Sequence, residues 1–263
     1  MWYIICMYKH YKKGEDIMNE TINIIKNHRS IRSYLDKDIP EEHLNEILKA
    51  AQAMPTSING QQISIIVIKD KEMKNKFAEL TGGQSYIAKA PVFLVFVADF
   101  YKTYLAGKKT GNEQIIHESI EGSLVGSFDG GLAMGGAIVA AESLGLGIVP
   151  IGGIRRDPQG VIDLLGLPEY TYPLVGLCVG YPENESKQKP RLPFETFAHN
   201  EKYNKEILEE NINKYDDFME GYLKEVGREK EVNWSTSTSG VYKQVYFPKV
   251  YPTMKTQGFK NDK

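Results

Sequence analysis

The chain has 263 residues, 41% hydrophobic and 11% aromatic, enough to bury a sizeable core as one large or two small domains. Its formal net charge of -2, with a pI near 6.3, excludes the global basic field that nonspecific nucleic-acid binding requires. Two cysteines, Cys6 and Cys178, exclude a disulfide framework, and no paired Cys or His spacing suggests zinc, so a reducing cytoplasm is the natural compartment.

Residues 1–8 are apolar but too short to span a bilayer. Lys9, Lys12 and Lys13 follow that run, whereas a signal peptide places its charges ahead of it. Met18 precedes Asn19-Glu20-Thr21-Ile22, an ordinary start into a helix, and Lys13-Gly14-Glu15 fits a purine-rich ribosome-binding sequence just upstream. Residues 1–17 therefore read as an extension upstream of a native start at Met18. The alternative is a real extension that packs its aromatics on the surface.

Ile22 and Ile25, then Leu44, Ile47, Leu48 and Ala51, predict two helices, the second opened by Pro40-Glu41-Glu42 with the proline in its first turn. They bracket a basic cluster, His28-Arg29-Ser30-Ile31-Arg32. β-Branched runs predict strands over 63–68, 92–97 and 174–179, and small and apolar residues predict a helix over 131–144. A second basic cluster, Lys189-Pro190-Arg191-Leu192-Pro193, follows the third strand. The one plausible boundary falls near 195–200, after which charged helical sequence over 203–225 leads into a polar, aromatic tail. The layout is thus a mixed α and β core over 18–199 and an arm over 200–263.

The two basic clusters suggest an anion clamp. A phosphate needs several converging charged donors and hydroxyls, with Arg supplying a bidentate fork and Lys a point charge. Other phosphate motifs fail. Gly145-Leu146-Gly147-Ile148-Val149-Pro150 ends in proline where a dinucleotide fingerprint needs glycine, and it follows a helical pattern rather than a strand. Gly107-Lys108-Lys109-Thr110 lacks the upstream glycine and adjacent hydroxyl of a Walker loop. Cys178 reads as a small buried hydrophobe. His10, His117 and His199 have no partners in the pattern, and Asp129 reads as a helix-start acceptor. Glu41-Glu42 and Glu209-Glu210 read as solvated faces.

The clusters occur in order with Pro55-Thr56-Ser57-Ile58-Asn59-Gly60-Gln61, Thr81-Gly82-Gly83-Gln84, Ala140-Ala141-Glu142-Ser143-Leu144-Gly145-Leu146-Gly147, Ile151-Gly152-Gly153-Ile154-Arg155 and Gly176-Leu177-Cys178-Val179-Gly180. This series resembles the NADPH-dependent branch of the FMN-binding nitroreductase family, the oxygen-insensitive nitroreductases and flavin reductases, clearly over about residues 20–200. The resemblance implies an α+β fold with a central mixed, mainly antiparallel sheet flanked by helices, in an interlocked homodimer. It also implies FMN as cofactor and NADPH as cosubstrate, with NADH possible.

By the same resemblance, His28, Arg29, Ser30, Lys189 and Arg191 grip the FMN phosphate. Arg32 lies toward the pyrimidine edge, where a cation stabilises the negative charge of reduced flavin; its alternative is a surface ion pair with Asp36 or Asp38. Thr56, Ser57, Asn59 and Gln61 form a polar loop over the pyrimidine ring that reaches the partner subunit's site. Gln84 bonds the ribityl chain or ring edge. The Ile151-Gly152-Gly153 turn points its Gly153 N–H at flavin N5, a close approach that glycine permits, unless it is a plain turn. The implied reaction is ping-pong: NAD(P)H passes hydride to the flavin and leaves, and a nitroaromatic, quinone or free flavin takes two electrons in the same pocket. No side-chain acid is needed. The arm departs from the family pattern, with Glu225 at the place of an arginine that contacts the nicotinamide-nucleotide phosphate; Arg228 and Lys230 are the replacement candidates, interleaved by Glu229 and Glu231. Readings from other classes are a noncatalytic FMN-binding sensor and a structural dimerisation protein.

Overall fold

The computed structural model describes residues 19–184 and 186–263; the expected extension over 1–17 lies outside them. In chain order the elements are α1 (Glu20–Lys26), α2 (Glu41–Gln52), β1 (Ile63–Ile68), α3 (Lys71–Leu80), α4 (Tyr86–Lys89), β2 (Val92–Asp99), α5 (Tyr101–Thr110), α6 (Ile120–Ser143), β3 (Gly147–Ile151), α7 (Pro158–Leu165), β4 (Thr171–Gly180), α8 (Leu208–Glu225), α9 (Trp234–Tyr242) and α10 (Val250–Thr256). The four strands form one sheet in the order β1-β2-β4-β3, antiparallel at every pairing. The parallel part of the expected mixed sheet is confined to an isolated bridge between Ser30 and Ile148.

β2 explains the layering. Its run Val92–Asp99 is apolar at successive positions and almost wholly buried, the signature of a strand covered on both faces. Side chains alternate across the sheet. Phe93, Val95 and Val97 face one core with Phe77 of α3, Ile87 of α4, Val161 of α7 and Cys178. Leu94 and Phe96 face a second core with Leu44 and Ile47 of α2 and Ala133, Ala137 and Ala141 of α6. The fold is three layers, with helices on both sides of the sheet.

α6 is long and apolar enough to cross a membrane by length and composition. Here its small residues let it lie close against α2 and the sheet: a Cβ at Gly136 would come within 2.9 Å of the Ala50 carbonyl, and one at Gly126 within 3.1 Å of Ala98 Cβ. The helix starts eleven residues before the predicted 131, capped by Ser119, whose Oγ accepts from the Gly122 N–H at 3.1 Å. Its glycines have poor intrinsic helix propensity, and packing overrides it. Asp129 therefore lies in mid-helix, not at a helix start. Three further differences are smaller. Pro40 occupies the cap of α2 rather than its first turn, α8 begins at Leu208 rather than 203, and β3 is a strand that the glycines and Pro150 concealed.

The end of the arm folds back on its own chain. Phe259 is fully buried against Phe100 and Tyr172, with ring centroids 5.8 and 6.4 Å away. Gln257 O accepts from Tyr170 N at 2.9 Å. Glu118 holds Lys260 at 2.6 Å and also binds Lys263. Hydrogen bonds from these two ammonium groups hold the Glu118 carboxyl down to about 2 from an ordinary 4.5. A depressed carboxyl stabilises the fold above the unfolded-state value and loses that contribution as pH falls through the folded-state value. Chemical denaturation of wild type and Glu118→Gln should thus show a stability gap at pH 7 that closes as pH falls from 4.5 toward about 2. A gap independent of pH would refute the latch.

Candidate functional site

The first basic cluster is fastened to the outer edge of the sheet. After α1 ends, Ile31 N donates to Ile148 O of β3 at 2.9 Å, and Leu35 N donates to Tyr181 O at 2.9 Å. Ile31 is buried against Gly147, and Tyr34 Oη donates to Ile31 O at 2.7 Å. Ile31 and Tyr34 are buried in one core cluster, and Arg32 between them is left exposed. His28 is oriented from α6: its Nδ1 lies 2.6 Å from Glu142 Oε1, at the helix C-terminal end. The second cluster runs alongside. Gln188 Nε2 donates to Lys26 O, and Tyr222 and Tyr215 of α8 donate to Gln188 O at 3.2 Å and Pro190 O at 2.9 Å. Lys189 and Arg191 are left exposed.

A second group gathers around Tyr86, whose hydroxyl lies near the Arg32 cation. Tyr86 Oη donates to Gln84 Oε1, and Gln84 Nε2 donates to Thr81 O at 3.1 Å. Burial raises the Tyr86 hydroxyl pKa and the Arg32 cation opposes that. Gly82 and Gly83 have φ of 89° and 86°, the left-handed turn that swings the chain from α3 to Gln84. Gly153 completes the group: a Cβ there would lie 3.1 Å from Thr81 O and overlap Gln84 Nε2. The turn is thus a close approach of backbone to the Gln84 amide. Beside it, Leu174 is bulged out between Pro173 and Val175, and its carbonyl accepts from Arg155 Nη1 at 2.5 Å. Tyr86 is the residue that sequence reasoning missed; its only signal is an aromatic two positions after Gln84.

Thr56, Ser57, Asn59 and Gln61 lie elsewhere in the chain. Thr56, Asn59 and Gln61 line a cavity of about 600 Å³ between α2 and α6, which none of Arg32, Gln84, Tyr86 and Gly153 lines. Asp129 anchors the loop: its Oδ2 accepts from Ser57 N at 3.0 Å and from Gln62 Nε2. Thr56 Oγ1 accepts from Gln61 N at 3.1 Å. Ile58, Asn59 and Gln61 have φ of 51°, 56° and 53°, and Ile58 is 98% exposed. A β-branched residue in the left-handed region is a steric outlier of the kind that clusters at functional loops.

At the arm, Arg228 grips Glu231 with both faces of its fork: Nε donates to Oε1, and Nη2 to Oε2 at 2.6 Å. Both residues line a cavity of about 310 Å³ with Lys189, Arg191, Tyr215 and Trp234; Lys230 does not line it. Glu225 faces Lys187 at 3.7 Å. The remaining candidates behave structurally. Cys178 is fully buried in β4, and burial pushes its thiol up. His117, contrary to expectation, has partners in Gln114 Nε2 at 3.2 Å and the Tyr170 ring, and burial lowers its pKa. His199 likewise accepts from Asn204 N at 3.4 Å; His10 lies outside the described residues.

This donor set fits a flavin mononucleotide. Its phosphate calls for cations, and the two basic segments are joined through Gln188 Nε2 and Lys26 O; its planar ring calls for a close backbone approach, and Gly153 packs bare against Gln84 and Thr81. Comparison with known proteins agrees. Residues 25–181 match the Nitroreductase family and residues 189–262 its description "Nitroreductase family, C-terminal domain". FMN reductase [NAD(P)H] of Bacillus subtilis (strain 168) is 46% identical over 249 residues, covering 94% of this chain and all of the relative. FMN reductase (NADPH) of the same organism is 38% identical, covering 92% and 99%. The solved structure of B. megaterium NfrA2 superposes with a TM-score of 0.91 at 46% identity, covering 94% of this chain and 100% of that one. The chain belongs to the nitroreductase family.

Gly153→Ala drives a Cβ toward the Thr81 carbonyl and into the Gln84 amide, an overpacking that costs about 1–3 kcal/mol. Thermal denaturation should show this loss. An unchanged midpoint would mean that the turn is not a close contact.

Proposed function

We propose that the chain is an FMN-containing NAD(P)H oxidoreductase that reduces free flavin, nitroaromatics or quinones by two-electron, ping-pong transfer. The observation that carries this reading is the close packing of the Gln84 amide against the Gly153 backbone, with Tyr86 bonded to Gln84 and lying near the Arg32 cation. The names of the relatives, FMN reductase [NAD(P)H] and FMN reductase (NADPH), support it. Bound FMN would supply the hydride chemistry.

The residues have separate tasks. His28, Arg29, Ser30, Lys189 and Arg191 hold the phosphate, with Glu142 orienting the His28 ring. Arg32 offers a positive charge at the ring edge, close to Tyr86; a cation already in place costs little reorganisation when charge develops. Gly153 contributes a backbone N–H. Arg228 and Lys230 are the candidates for the NADPH phosphate. Steady NADPH oxidation by yellow purified protein with a quinone would support this reading over a sensor or a purely structural dimer; its absence would reject it.

The working form we infer is a cytoplasmic homodimer of the 18–199 core with its 200–263 arm, small-molecule acceptors being its partners. Ile120, Leu124 and Phe128 form an exposed apolar stripe at fourfold spacing on α6, and the strained loop carrying Thr56, Ser57, Asn59 and Gln61 presents Ile58 outward. Such a stripe marks an interaction surface. Light scattering should give a dimer with two flavins; a monomer with full FMN occupancy at micromolar concentration would overturn it.

Replacing Lys189 and Arg191 together with alanine should release FMN and leave the fold intact. Each charged hydrogen bond is worth about 1.5–3 kcal/mol, so binding should weaken by roughly two to four decades. Unchanged flavin retention in gel filtration would remove these residues from the phosphate site.

A further inference from the structure

We propose that Glu231 sets coenzyme choice: its carboxylate occupies the Arg228 fork in the place that the 2′-phosphate of NADPH would take. The proposal rests on the NAD(P)H reading above and on Arg228 as the 2′-phosphate contact. The geometry is that of a bound anion. Both guanidinium faces are engaged, Nε on Oε1 and Nη2 on Oε2 at 2.6 Å, and the planar fork that matches a carboxylate also matches a phosphate.

The surroundings are those of a ligand subsite. Arg228 and Glu231 line the same cavity of about 310 Å³ as Lys189, Arg191 and Trp234, so it joins the flavin-phosphate segment to the arm. Glu231 also feels the Lys189 charge. Glu229 lines a neighbouring cavity with Glu220 and Lys224, which Glu231 also borders, but it is not among the residues of the Arg228 cavity and has no bond to the Arg228 fork. The two acids that interleave Arg228 and Lys230 are therefore not equivalent. Glu231 is the internal competitor, and Glu229 is a nearby charge.

The pair is half-exposed, 43% and 49%, and an exposed ion pair contributes little to folding. It can open at small cost to a dianion. NADPH must displace Glu231 to use Arg228, whereas NADH, with no 2′-phosphate, leaves the pair closed. Discrimination between the two coenzymes is thereby narrowed.

The test uses the oxidised, FMN-loaded enzyme and two fragments, 2′,5′-ADP and 5′-AMP, titrated calorimetrically. Glu231→Gln should tighten 2′,5′-ADP about tenfold and leave 5′-AMP unmoved, and the ratio of KM for NADPH to KM for NADH should fall by the same factor. Arg228→Ala should weaken 2′,5′-ADP and abolish the response to Glu231→Gln. Glu229→Gln removes the same charge and should give less than a third of the effect. Equal responses to the Glu229 and Glu231 changes would overturn the proposal in favour of general surface charge. An unchanged 2′,5′-ADP affinity and KM ratio in Glu231→Gln would overturn it while leaving the oxidoreductase reading intact. Failure of both coenzymes to reduce the flavin would overturn both readings.

Discussion

The hydrogen bond from Ile31 N to Ile148 O, at 2.9 Å, organises the site. It clips the first basic segment to the free edge of β3. The clip works because Ile31 fills the space over Gly147, where a Cβ would approach Ile31 Cγ1 to 2.5 Å. With Ile31 committed inward, Arg32 beside it is left exposed. β3 then carries the other half of the site along its own length, since its last residue, Ile151, leads directly into Gly152 and Gly153. One five-residue strand thus fixes the offset between a cation-bearing edge and a bare backbone turn. Neither half tolerates an independent shift, because interiors this closely packed transmit small displacements.

Charge in this protein is arranged locally. With a net charge of -2 there is no long-range field to gather anions, and exposed charges further apart than about 8–10 Å are screened at physiological salt. The basic side chains near the site divide accordingly. His28 is held by Glu142 and Arg228 by Glu231, so each is oriented by a carboxylate. Lys189 and Arg191 stand on an exposed segment whose backbone is held by Tyr215 and Tyr222 and which the Gln188 side chain ties to Lys26 O. The tethered backbone limits where the free charges can go and lowers the ordering cost of ligand binding.

What was legible in the sequence follows the strength of local signals. β1 matches 63–68 because Ile63–Ile68 is β-branched at most positions, and β2 and β4 were found for the same reason. β3 was not, since Gly147 and Pro150 are poor strand residues, and its strand character comes from pairing with β4. The first eleven residues of α6 escaped for the analogous reason. The site residues around Arg32 were named from the order of motifs, but Tyr86 was not, and the link between them spans 54 positions of chain. Asp129 is the sharpest case. Its role is to hold Ser57 and Gln62, 72 and 67 residues away, a relation that a local pattern cannot carry, and it was read as a helix start because the glycines hid the helix around it.

That same carboxylate bears on why a strained loop persists. Non-glycine residues in sparsely populated backbone regions cost about 1–3 kcal/mol each, and Ile58, Asn59 and Gln61 are three within four positions. Relaxing them would require releasing the Ser57 and Gln62 bonds to Asp129, whose Oδ2 is buried in the α6 packing, leaving an unsatisfied carboxylate inside the protein. Desolvated charge without partners costs more than a strained turn. The loop is therefore held in its outward conformation from below, with Ile58 projecting into solvent. A segment ordered in advance by its own chain gives up little further entropy when another surface meets it.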